Sequence, residues 1–120
     1  MLPNIMTLAA KSASANNNYH KFTALQGFTV VGMSLCPFVF SGAPAGFNVD
    51  LNDDGVGVIT ALAANTAGVV GEWKSTAVGG SADPVTIARG SVVSVDLNFA
   101  GGTTPTADYT LVLYCLPSAD

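Results

Sequence analysis

Charge is what this sequence has least of. Only 10% of its 120 residues are Asp, Glu, Lys or Arg, against about a quarter in an ordinary soluble domain. The cations are Lys11, Lys21, Lys74 and Arg89, and the net charge is −4. Four scattered cations make no stripe that displaces counterions from phosphates, which disfavours nucleic acid as a partner. An anionic lipid surface is disfavoured on the same ground. No apolar run approaches the ~18 residues that a membrane-spanning helix needs.

The residues that carry chemistry are equally scarce. There is one histidine, His20, and one glutamate, Glu72. Two cysteines and one histidine cannot complete a four-ligand zinc site. Cys36 and Cys115 lie in apolar, strand-like runs, where a thiol behaves as a small buried hydrophobe; a disulfide between them stays open. His20 falls in a polar stretch and reads as a solvated side chain. "GMSLC" (32–36) lacks the final glycine of a nucleophile elbow. "VGGSAD" lacks the lysine and the following helix of a phosphate loop. Paired carboxylates for glycoside cleavage need two acids in one cleft, and Glu72 has no evident second. The chain reads as a non-enzyme without cofactor or metal.

One stretch resists that conclusion at first sight. Asp50, Asn52, Asp54 and Gly55 in "FNVDLNDDGVGVIT" spell the start of a helix-flanked calcium loop. The twelfth position of that loop requires a bidentate Glu, and here it is Ala61. Both flanks alternate like strands, and Asp-Gly is a strong hairpin signal. The expectation is strand, tight turn, strand, with Asp53 and Asp54 solubilising a sheet edge.

What the sequence has in abundance is apolar residues, 49%, broken by 13 glycines and 6 prolines. Strands are expected over 28–35, 47–52, 55–60, 69–78, 85–90, 91–99 and 109–117, with a turn at Arg89-Gly90. Residues 61–69 are ambiguous between helix and strand. About seven strands joined by Gly- and Pro-rich turns make an all-β, single antiparallel β-sandwich. Trp73, Phe38, Phe40 and Phe47 suit its core better than a carbohydrate patch.

The first 21 residues differ from the rest. "KSASANNNYHK" is polar, and "NIMTLAA" before it is apolar enough to want a partner. Pro3, Asn4 and Lys11 interrupt any signal-peptide pattern. The division expected is an N-terminal arm over 1–21, helix or strand, and a sandwich domain over 22–120. The arm's candidate contact residues are Leu2, Ile5, Met6, Leu8 and Tyr19.

Two longer stretches carry a resemblance. "GAPAGFNVDLNDDGVGVIT" (42–60) is a Pro-x-Gly, strand, turn, strand unit. "IARGSVVSVDLNFAGGTTPTADYTLVLYCL" (87–116) adds a basic-Gly turn, a strand, a Gly-Thr-Thr-Pro loop, Ala-Asp and a last strand. Together they resemble the small jelly-roll domain of tailed-bacteriophage structural proteins: capsid decoration or cement proteins, head fibres and tail appendages. The resemblance covers about residues 25–117 and rests on turns and alternation. It implies a jelly-roll-like sandwich assembled as a homotrimer, with Pro44, Gly46, Asp54, Gly55, Asp96 and Gly102–Pro105 in structural roles. It also implies a decoration protein on the outer capsid surface of the virion, assembled in the host cytoplasm, with the major capsid protein as partner. A receptor- or glycan-binding module of a fibre or tail is the alternative; a secreted lectin-like domain fits less well. "GMSLCPFVF" is more apolar than the resemblance requires, which points to burial at a subunit interface.

Overall fold

A computed structural model describes residues 4–64, 74–76 and 84–117. Nine strands are found among them: β1 (Asn4–Ser14), β2 (Asn16–Thr23), β3 (Phe28–Ser41), β4 (Gly46–Asp53), β5 (Val56–Ala64), β6 (Lys74–Thr76), β7 (Val85–Ile87), β8 (Val92–Ala100) and β9 (Thr106–Pro117). One sheet has the order β1-β9-β3, with β6 and β7 both paired to β3; the other has the order β2-β8-β4-β5. The two antiparallel sheets pack face to face as a β-sandwich.

The connectivity is nested. The Asp54-Gly55 hairpin joins β4 to β5, and β3 pairs with β6 and β7 outside it. Outside those, β2 pairs with β8 and β1 with β9. The long hairpin then rolls up, bringing β9 against β3 and β8 against β4. That is a jelly-roll-like arrangement, and rolling lets one alternating sequence bury one face of every strand.

The period of two is visible in β4 and β8. Phe47, Val49 and Leu51 lie beside Val93, Val95 and Leu97 on the inner face of one sheet, and Leu35, Tyr109, Leu111 and Leu113 close the core from the other. Fully burying each large side chain contributes ~1.5–3 kcal/mol relative to exposure. The hairpin turn has φ of 49° at Asp54 and 82° at Gly55. Both positive values are what a two-residue turn of matching twist demands.

Three expectations are corrected. The segment expected as an arm lies within the sandwich: from Asn4 onward it supplies β1 to one sheet and β2 to the other. Second, β3 does not end at Pro37 but runs 14 residues through it. The register with β9 shifts between Pro37 and Val39, and a bulge is where a strand tolerates a residue without an N–H. Third, "GMSLCPFVF" needs no partner subunit to bury its middle. Ser34, Cys36 and Pro37 are already covered within one chain; Phe38 and Val39 at the bulge are exposed. Glu72, Trp73 and most of the strand expected at 69–78 lie outside the described residues.

Candidate interaction surface

The strand that opens the chain is also the edge of its sheet. β1 pairs with β9 in unbroken register from Asn4↔Cys115 to Ala10↔Tyr109. Among the described residues nothing pairs with its other side. Its side chains alternate: Met6, Leu8 and Ala10 turn inward and are half-buried against the core, while Ile5, Thr7 and Ala9 point out. Ile5 is 64% exposed. Beside it lies a concave pocket of about 210 Å³, lined by Ile5, Met6, Phe28, Cys115 and Pro117 with Gln26 and Gly27.

Of the five residues expected to make contacts, Ile5, Met6 and Leu8 therefore share one strand. They do not share one face: Ile5 is outward, and the other two belong to the rim of the core. Tyr19 lies on β2 in the opposite sheet and packs edge-on against His20, with ring centroids 4.9 Å apart. Leu2 lies outside the described residues.

β1 leaves its regular register at a bulge between Ala10 and Ala13. Ser12 there has φ of 52°, and its N–H donates to Asp108 Oδ1 at 2.6 Å. The same device recurs twice. Asn18, φ 60°, donates its N–H to Asp96 Oδ1 at 2.8 Å. Ala61, φ 55°, donates to Asp50 Oδ1 at 2.6 Å. In each case a strand irregularity turns a backbone N–H out of the ladder, and an Asp on the neighbouring strand accepts it. A left-handed non-Gly residue costs roughly 1–2 kcal/mol, and a hydrogen bond to a charged acceptor contributes about as much in return.

These contacts answer the calcium-loop question. Asp50 is committed to Ala61 and to the Asn98 amide, 3.1 Å away. Asp54 Oδ1 accepts the Val92 N–H at 2.8 Å, so it pins the hairpin to β8 instead of simply solubilising an edge. Asn52 is buried, with its amide 3.4 Å from Ser94 Oγ. Asp53 Oδ1 is shielded from solvent and has no hydrogen-bond partner; we have no physical account of it. Among the described residues no three His, Cys, Asp or Glu side chains gather as a metal site.

His20 departs from its expected solvated state. Its Nε2 lies 2.7 Å from the Tyr109 hydroxyl, joining β2 in one sheet to β9 in the other. Burial lowers the imidazole pKa below its usual 6.5. Burial, and secondarily Tyr19, raises that of Tyr109. In either tautomer the neutral imidazole can share this hydrogen bond with the phenol, which satisfies a hydroxyl on a residue only 1% exposed.

Ser34, the serine of "GMSLC", is buried mid-strand, its Oγ 3.5 Å from the Tyr114 hydroxyl. Both cysteines are buried, and burial raises both thiols' pKa. Cys36 lies opposite Thr110 whereas Cys115 lies opposite Val30. Five residues of strand, ~16 Å, therefore separate them and no disulfide can form. Phe47 is in the core, stacked on Phe99 at 4.8 Å and edge-on to Phe40 at 5.8 Å.

No protein-family model, curated protein or solved structure matches the chain.

Proposed function

We propose that this protein is a virion structural protein of a tailed bacteriophage, a capsid decoration protein that binds the outer shell and stabilises it without chemistry. The observation that carries the reading is the β1 edge: a stretch, Asn4–Ala10, without charge and with Ile5 exposed, a half-open row of core side chains behind it and a mostly apolar pocket at its end. Such a surface is cheap to desolvate and suits a protein covered by other protein. The jelly-roll-like topology and the turn motifs of 42–60 and 87–116 support the same class. On this reading the partners are the major capsid protein and further copies of the chain, in a homotrimer by the resemblance. Several copies bound to symmetric shell sites multiply a modest affinity.

Purified shells of the encoding phage, stripped of this protein, provide the test. The protein should co-sediment with them at saturating, symmetric occupancy. Absence from the shell pellet at all concentrations would end the proposal. Truncating residues 1–20 is the wrong variant, because it removes one strand from each sheet; Ile5→Lys probes the same edge with the fold intact.

A second reading draws on a different hollow. Asn16, Asn17 and Asn98 lie beside Phe99 in a shallow, amide-rich depression, the kind of lining that hydrogen-bonds sugar hydroxyls. A receptor- or glycan-binding role in a fibre or tail appendage follows from it. Host polysaccharide binding that is lost in Asn17→Ala would favour this reading, and a blank glycan array would remove it.

A further inference from the structure

The four sheet edges are not treated alike. β2 carries Lys21 and a register break between Asn16 and His20. β5 carries two register shifts and a left-handed Ala61. The described part of β6 carries Lys74, and β7 is three residues long. Short strands, bulges and lysines are the devices that stop an edge from pairing with another chain. β1 has its lysine, Lys11, and its bulge only after Ala10; over Asn4–Ala10 it has none of these devices: seven residues, "NIMTLAA", in regular register and without charge, proline or glycine. Its outward N–H and C=O groups can be satisfied by an added strand, and Met6, Leu8 and Ala10 are half-covered until one arrives.

We propose that the strand added to β1 is β1 of a second copy, antiparallel about a two-fold axis. Three features favour a copy over a foreign strand. The chain carries a net charge of −4, and the Asn4–Ala10 edge is where two copies meet with no like charges opposed. The edge is also its own complement. With Thr7 opposite Thr7 of the partner copy, Ile5 falls opposite Ala9 and Met6 opposite Leu8, so large meets small outside and apolar meets apolar inside. Finally, side chains of one parity share one face of both strands, so the pairing continues the inner face of the sheet and caps the core rim of both copies at once.

The pairing does not depend on the virion reading. It joins copies in twos, either two single chains or two trimers back to back. The test is molar mass by light scattering after size exclusion, for the whole chain and three variants. Thr7→Lys places two like charges opposite each other on the exposed face. Ala88→Lys adds the same charge on an exposed loop away from the edge. Thr7→Glu restores attraction when mixed with Thr7→Lys. The wild type and Ala88→Lys should have an even multiple of the 12.1 kDa chain mass, Thr7→Lys alone half of it, and the Lys-Glu mixture the full value again. A wild type of one or three chains, or a Thr7→Lys mass equal to wild type, overturns the proposal. A monomeric wild type whose shell binding is lost in Thr7→Lys would instead assign the edge to a strand of the partner. Circular dichroism of each variant confirms that the sandwich has formed.

Discussion

His20 ties the two sheets through the Tyr109 hydroxyl, and that position makes it the residue through which acid should act. Its folded pKa lies below the unfolded 6.5, so the unfolded chain takes the proton first as pH falls. The contribution of neutral His20 is complete above about pH 6.5 and is lost progressively below it. Melting temperature should therefore fall between about pH 7 and pH 5, and His20→Gln should flatten that slope while keeping a polar partner for Tyr109. An unchanged slope would remove His20 from the account. Asp108 offers a second test. Asp108→Ala leaves the Ser12 N–H to water at a partly exposed site, so the loss should be about 1 kcal/mol in denaturant unfolding. The sequence left both roles hidden. His20 stands among polar residues and gives no sign of a buried partner 89 positions away. Asp50 and Asp96 share a readable signal, the "VDLN" repeated at 49–52 and 95–98, but Asp108 lies outside it, and nothing local shows which N–H any of the three accepts.

Legibility at the scale of elements follows the same division. β4, β8 and the 54–55 turn were readable because strict alternation and Asp-Gly are local properties of the chain. β1 and β2 were not, because the bulges at Ser12 and Asn18 break the alternation and the polar run "KSASANNNYHK" around them suggests a loose arm. The Gly-Thr-Thr-Pro loop was recognisable as a motif, yet its purpose is tertiary. Thr103 N–H donates to Gly42 O at 2.9 Å, and Ala45 N–H to Ala100 O at 2.8 Å. The 42–46 and 101–105 loops thus clasp each other. Gly42 has φ of 79°, and a Cβ there would fall on the Thr103 carbonyl oxygen; a Cβ on Gly102 would lie 2.6 Å from Gly42 O. Gly55 also has positive φ but faces open space. Gly55→Ala should therefore cost only the backbone term, about 1–2 kcal/mol. Gly42→Ala adds a steric clash with backbone and should cost distinctly more. Equal losses in urea unfolding would show that the two loops do not close as described.

At the scale of the whole molecule, scarcity of charge and the unguarded β1 edge describe one property. A β-sandwich with only 10% charged residues and, among the described residues, an edge that is neutral and regular over Asn4–Ala10 has the surface that the proposed covering by other protein calls for. Its fold class was legible because period-two alternation recurs in strand after strand. Its edge was not, because which strand ends a sheet depends on the rolling of the whole hairpin. The most direct measurement is the temperature at which purified shells release their DNA, with and without this protein bound, at low ionic strength. The account predicts release at a higher temperature with the protein present, and a smaller rise with Thr7→Lys at equal concentration. Release at the same temperature with and without saturating protein would contradict it.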